Sequence, residues 1–468
     1  MSTLSSLLNL SLTALNADQA ALTVTANNVA NQNTPGYTDQ VAHWSSGDTV
    51  SFSLGGAQTT VGPNVSSVSQ RDRVLNQRIQ QQTQAQSETG SEANILSQLE
   101  GVLSITGSSS TAGSTQIGTS INSFFASLTA LANNPSDAAT RQGVLNAAGA
   151  VATAFNAAAN GISNIQTSIN GTLTSSVAQV NNLTKTVAAL NAQIAASSPS
   201  VDAGTLEDQR QQAITQLSAL VGLDQVTTQS NGIELSTTDG TVLVSGTRAY
   251  ALSSSQVGST TQIYGGATGS TSIAVAGGTI GGLLAAQGVD LPAAQSALDA
   301  LAYRLGSAVN IQNAAGVTSG TTAGGMIFNV PPSPVGAASA LSVVASSPNV
   351  LAAAATGQGS TGNLNANALA SLASFMDGSG QTINGNLAAL LANVGSTSSG
   401  LQGKGAAQQA SLTQLITQQS TQSGVNLDTE ASNLTQYQRS YQAAAQVLSI
   451  VNKLMTAAIN LGLATAAS

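Results

Sequence analysis

The chain has one histidine, His43, and it stands beside the one tryptophan, Trp44, in a stretch rich in Gly, Ser and Thr. A histidine-based triad would have a single candidate base, and with no cysteine a zinc site lacks thiolate ligands. A lone His next to Trp reads as a packed or surface residue. The 19 Asp and Glu are scattered, with no pair set on one face as glycoside hydrolysis requires. Two glycine-rich runs imitate phosphate loops. GLQGKG around Lys404 would need Gly at Ser398 and a hydroxyl at Gly405, and both fail. GGTIGG, residues 277–282, is not the G-x-G-x-x-G of a dinucleotide-binding turn. Arg71, Arg73 and Arg78 form a basic cluster, but Asp72 lies inside it, and a solvated helix face is the plainer reading. No catalytic, cofactor-binding or metal-binding residue is assigned, and the chain reads as a non-enzyme.

What remains is architecture. At 468 residues the chain is long enough for three or four domains. Only 6% of residues are charged, and the net charge of −8 argues against nucleic acid or an anionic membrane as partner. The first Lys or Arg is Arg71, so a secretory leader with its basic start is not expected, and apolar runs such as VLAAAA from Val350 fall far short of a membrane span. If the protein is extracellular, it leaves by a route this pattern does not announce.

The strongest pattern lies from about Val425 to Leu461. Leu434, Tyr437, Tyr441, Ala444, Leu448, Val451, Met455 and Ala458 follow a heptad seam, with Val447, Leu454 and Leu461 widening the stripe. Asp428 stands where an N-cap is expected, with Glu430 in the first turn. Such a helix needs a partner. Residues 1–31 supply one: Leu8, Leu15, Leu22 and Val29 fall seven apart, with Leu12 and Ala26 between them and Gln19 as a gap. This helix is expected to stop near Asn31, before a Pro35-Gly36 turn. The two terminal helices are expected to pair antiparallel as a coiled coil.

Between them, VSFSL and TTV in residues 41–63 suggest one irregular hairpin. Residues 65–105 read as a long helix. Further helices are expected at 117–133, from Ser136 or Asp137 to Ser197-Ser198-Pro199, and at 205–220. Asn231-Gly232 and Asp239-Gly240 mark a β meander with Ile233, Leu235, Val242 and Val244 inward. Residues 281–313 return to helix. MIFNV and LSVV are short strand candidates, 364–375 and 387–391 look helical, and glycine-rich 395–405 reads as a linker. The fold class expected is mainly α with a smaller β part: paired terminal helices, an elongated helical bundle and an inserted β-rich subdomain. The corresponding divisions are 1–62, 63–222, 223–280, 281–404 and 405–468.

The termini carry a resemblance. ANNVANQNTPGYT, residues 26–38, resembles the N-terminal signature of bacterial flagellar axial proteins: rod, hook and hook-associated. GVNLDTEASNLTQYQRSYQAAAQVLSIVNKLM resembles their C-terminal motif. The interior runs RDRVLNQRI, FFASLTALANNPSDAATRQGVL, LNAQI, LEDQRQQAITQLSALVG, DGTVLVSG and GGTIGGLL resemble the hook-associated protein 1 family, in order and nearly end to end. The stretch from Phe328 to Leu364 is short, implying a reduced or absent outer domain.

The resemblance implies a structural adaptor forming one ring at the junction of flagellar hook and filament. Its terminal helices would line the tube core, and its middle would form outer layers. It implies hook protein and the next hook-associated junction protein as neighbours, with self-association in the ring. It also implies export without a cleaved signal peptide through the flagellar type III apparatus, a chaperone holding the C-terminal helix, and an extracellular place in the flagellum. Other readings are a rod- or hook-like axial protein, or a surface adhesin or fibre with a receptor-binding tip.

Overall fold

The computed structural model describes residues 2–34, 36–46, 49–51, 58–60, 62–104, 115–197, 203–227, 232–266, 271–319, 322–376, 378 and 380–466. It is mainly helical with a smaller β part, and its long terminal helices pair.

Helix α1 spans Ser2–Asn31, ending where the sequence pattern stops. Gly36 holds φ at +80° in the turn that follows, and Pro35 of the expected Pro-Gly turn lies outside the described residues. Strand β1 (Gln40–Ser46) leads to a short pair, β2 (Thr49–Ser51) and β3 (Gln58–Thr60), and returns as β4 (Pro63–Ser69). Much of VSFSL lies outside the described residues. Strands β1 and β4 are antiparallel in the register Gln40↔Ser69 and Trp44↔Val65. Residues 65–69 are therefore strand and not the start of the next helix, and the 62/63 division falls between two paired strands. The delay has a local cause. Asp72 is the N-cap, its carboxylate accepting from the N–H groups of Val74 and Leu75, so helix α2 begins at Arg73 and runs to Val102.

Helix α3 (Gln116–Asn133) buries Phe124, Phe125, Leu128 and Leu131. Asp137 caps α4 (Ala138–Ala196), whose 59 residues span about 90 Å. Of its expected stop signal, Ser197 is the C-cap, while Ser198 and Pro199 lie outside the described residues. Helix α5 (Gly204–Leu220) turns back along α4.

Two antiparallel sheets follow. The first is β5 (Leu223–Thr227), β6 (Ile233–Thr237), β7 (Val242–Ser245) and β8 (Arg248–Ala249). The second is β9 (Ser253–Val257), β10 (Thr260–Gly265) and β11 (Thr271–Ser272). Gly240 takes φ +88° in the expected β6–β7 turn, while Asn231 lies outside the described residues. Val242, expected inward, is exposed. The register shifts between Leu235 and Ser236, so the adjacent Leu243 and Val244 both enter the core.

Helix α6 (Gly278–Ala285) passes through a π turn, Ala286–Asp290, into α7 (Leu291–Ala314). Strand β12 (Phe328–Asn329) pairs with β13 (Ser342–Val343) around α8 (Ala337–Ala340), and α9 (Leu364–Ser371) follows. Helix α10 then runs unbroken over Ile383–Ser423, and α11 over Leu427–Ala466. The expected glycine linker at 395–405 is helical, and the 404/405 division falls inside α10. Each glycine costs roughly 1 kcal/mol in a helix. Packing offsets this: Leu412 buries against Leu75 and Ile79, and the Gln82 and Gln419 amides donate to Gln408 O and Asn76 Oδ1. The break comes instead at residues 424–426.

The GGTIGG run is a packing device. Gly278 holds φ at +62°, and a Cβ there would lie 2.3 Å from the backbone of Leu220 and Val221. A Cβ on Gly282 would lie 2.1 Å from Glu88 O. Asparagines on α4 hold the β elements. Asn181 donates to Leu252 O and accepts from Leu252 N–H, both at 2.8 Å, and Asn191 Nδ2 donates to Ile233 O and Gly246 O. Asn156 serves the carbonyls of Ala338 and Leu341 in the same way.

Candidate assembly interface

Helices α1 and α11 run antiparallel: Asp18 receives a hydrogen bond from Ser440, and the Asp39 N–H donates to Ser423 O at 2.8 Å. On α11 the seam read from sequence turns inward only in part, and Val447 and Leu454, expected to widen it, are exposed. Val451 is buried at 4% exposure, Tyr437, Leu448 and Met455 are half-buried, and Leu434 and Tyr441 are at the exposed margin. On α1 the leucine row does not form the buried face. Leu8, Leu15 and Leu22 are half-buried and Val29 is exposed, while Ser11, Ala17, Asp18, Ala21, Val24, Thr25 and Asn28 are buried. The cause is that α1 is covered on two sides, by α11 and by the β1–β4 hairpin. Small residues permit that close approach. A Cβ on Gly62 of the hairpin would overlap the Thr13 side chain.

The start of α11 also differs from the expected cap. Asn426 Oδ1 accepts from the N–H groups of Asp428 and Thr429, so Asn426 is the cap and Asp428 lies in the first turn.

The pairing leaves apolar side chains in solvent. Leu7, Leu10, Leu12 and Val29 on α1 are exposed, as are Val447, Ile450, Leu454 and Ile459 on α11, with Ile450 at 57% and Leu454 at 54%. Leu461 lies where side chains are outside the description. Two long helices thus present apolar rows that face outward.

A polar joint ties this pair to the rest of the molecule. Asn28 on α1 donates to Asp39 Oδ1 and Gln40 O, both at 2.7 Å, and its Oδ1 accepts from Tyr37 Oη at 2.8 Å and Gln40 N at 3.1 Å. Thr38 reaches the helical body, its N–H donating to Asp208 Oδ2 at 3.0 Å and its hydroxyl to Asp208 Oδ1 at 2.8 Å. Arg71, between β4 and α2, pairs with Glu207 and Asp208 and donates to Gly204 O. The arginine read as a solvated face is thus nearly buried between acids 136 and 137 positions away, because both carboxylates need a cation.

The joint is acidic on its other side. Asp39 is pushed up to about 6, first by burial and then by the charge of Glu430, with the Gln40 N–H opposing. Tyr37 is pushed up to about 12 by burial and the charges of Asp208, Asp39 and Glu430. Asp18 is also raised by burial, against the hydrogen bond from Ser440. Sequence reading missed Asn28, Asp39 and Asp208, and the part that Arg71 and Glu430 play in the joint, since apolar periodicity carries no information about buried polar residues. The signal available was the run of Asn, Tyr, Thr and Asp closing the N-terminal motif.

His43 lies on the exposed face of β1, and the Trp44 ring sits 6.2 Å from that of Tyr437. Among the described residues no three His, Asp or Glu converge as metal ligands, and no helix is long and apolar enough to cross a membrane.

Family models match three parts of the chain. Residues 96–328 match the flagellar hook-associated protein FlgK helical domain, residues 8–38 the flagella basal body rod protein, and residues 417–461 the flagellar basal body rod FlgEFG protein C-terminal region. Flagellar hook-associated protein 1 of Bacillus subtilis is 30% identical, with 96% of each chain covered. Its counterpart in Escherichia coli K12 is 27% identical over 98% of this chain and 100% of that one. The solved structure of the flagellar hook junction protein FlgK from Burkholderia pseudomallei aligns at a TM-score of 0.65 and 20% identity, covering 73% of this chain and 99% of that one. The likeness in fold and the near full-length relationship agree with the signatures at both termini. The chain belongs to the flagellar hook-associated protein 1 family, whose members are structural components of the flagellum and not enzymes.

Proposed function

We propose that this chain is the adaptor between hook and filament in a bacterial flagellum, needed for the filament to assemble. The observation that carries the reading is the terminal helix pair. Its outward apolar rows are left in solvent, and the joint at Asn28, Thr38, Arg71 and Asp208 fixes it to a stiff helical body. In a tubular assembly the rows around Leu454 and Leu12 would meet neighbouring copies, and the sequence-derived seam residues Leu8, Leu15, Leu22 and Val29 would pack there too.

The division into parts follows from this. Residues 1–69 and 424–466 would form the axial layer, the helices from α2 to α10 the outer body, and the sheets of residues 223–272 its lateral face. Hook protein would lie on one side and the next hook-associated protein on the other. A chaperone would cover α11 before export, and export would proceed without a cleaved signal peptide to an extracellular site.

Deletion of the gene followed by electron microscopy tests the proposal. The expected result is complete hooks without filaments, with filament subunits lost to the medium. Normal filaments would remove the reading, and loss of hooks as well would move the chain to the rod or hook.

A further inference from the structure

Helix α10 is anchored along α2 at two places. Toward its N-terminus Leu387, Leu390, Leu391 and Val394 enter the main core. Toward its C-terminus Leu412 buries against Leu75 and Ile79 in a small core of its own. Between these anchors the seam is bare. Residues 80–94 of α2, QQQTQAQSETGSEAN, hold no apolar side chain larger than Ala, and residues 395–411 of α10, GSTSSGLQGKGAAQQAS, hold only Leu401. We propose that residues 395–411 form a compliant strap, which opens from α2 and closes again while both cores stay folded.

Glycine is the first argument. None of Gly395, Gly400, Gly403 and Gly405 takes a positive φ. A Cβ at the first three would meet nothing within 4 Å, and at Gly405 only the Thr89 methyl at 3.7 Å, an ordinary contact. Alanine would therefore fit at all four, unlike at Gly282, and would favour the helix more. The closed helix has no use for these glycines, whereas a segment that leaves the helix is favoured by them.

Polarity is the second. Among the described residues, Gln82 Nε2 to Gln408 O is the one hydrogen bond across the bare stretch, and Lys404 attracts Glu92 without closing an ion pair. Thr89 Oγ1 and Gln408 Oε1 are buried there without a partner. Opening would hydrate both, and so recover what closure leaves unmet.

Support is the third. Helix α2 is gripped from its other side: Gln84 donates to Leu223 O, Ser91 donates to Thr279 O, and Glu88 O lies against Gly282. On α10, by contrast, Ser396, Gly400, Gly403 and Ala407 face solvent. The strap is therefore the side that moves. It leads on into α11, so, on the reading proposed above, slack here would let that axial helix shift against the body with both cores intact.

Amide hydrogen exchange of the full chain tests this, with and without Gly395→Ala, Gly400→Ala, Gly403→Ala and Gly405→Ala together. After correction for intrinsic rates, residues 395–411 should exchange faster than residues 387–394 and faster than residues 80–94. The four alanines should slow residues 395–411 by roughly 30-fold or more and leave α2 unchanged. Protection of residues 395–411 equal to that of residues 387–394 would overturn the proposal, as would equal exchange with and without the alanines. Both readouts are taken on the isolated chain, so they decide this point whatever the gene deletion shows.

Discussion

Thr38 and Asp208, 170 positions apart in sequence, are joined twice, by the threonine N–H and by its hydroxyl. This is the point where the N-terminal motif grips the helical body. Thr38→Val keeps the volume and removes the hydroxyl donor to a charged acceptor, at a cost of roughly 1.5–3 kcal/mol. Asp208→Asn also weakens the pair with Arg71. In a double-mutant cycle by urea unfolding, Thr38→Val should cost much less in the Asp208→Asn background. Equal costs in both backgrounds would mean that the bond contributes nothing.

Asp39 gives the joint a pH dependence of definite sign. Its folded pKa of about 6 lies above the ordinary 3.8, so the folded state binds the proton more tightly than the unfolded state. That contribution is fully present at low pH and is lost as pH rises through about 6. Amide exchange of residues 37–40 and 427–431 should therefore slow as pH falls from 7 to 5, after correction for intrinsic rates. Asp39→Asn should remove the dependence and slow exchange at pH 7.

The Asn181 side chain substitutes for a strand edge by satisfying both backbone groups of Leu252. Asn181→Ala leaves both without that partner, and a loss of roughly 1–3 kcal/mol is expected for each group that stays dry. The loss should be local. Exchange should quicken around residues 250–265, while α3 and the far half of α4 stay protected.

The helices were legible because their apolar residues recur at helical spacing, as Ile162 to Ile194 do on α4, and because Asp137 marks its start. Part of the α11 seam, Val451 with Leu448 and Met455, was legible for the same reason, while Leu434 and Tyr441 stay exposed. The α1 face was not, since a helix covered on two sides selects small residues such as Ala17 and Ala21 over leucine. Gly395 to Gly405 misled because propensity was read without the α2 partner that holds α10 straight. Arg71 misled because its acids, Glu207 and Asp208, are distant in sequence.

Gly282 tests whether the GGTIGG run serves packing. A methyl group there would meet Glu88 O and the Ser91 hydroxyl at 2.1 Å, and one is backbone that cannot swing aside. Gly282→Ala should cost roughly 1–3 kcal/mol, measured by urea unfolding. At Gly288, where a Cβ meets nothing within 4 Å, the same change should be close to neutral.

Assembly through the outward apolar rows is the central claim, and Ile450→Asp with Leu454→Asp tests it most directly. Both side chains are exposed in the single chain, so its unfolding free energy should change by no more than about 0.5 kcal/mol for each substitution. Expressed in cells lacking the native gene and examined by electron microscopy, this variant should give hooks bare of filament. Full-length filaments on those hooks would contradict the account.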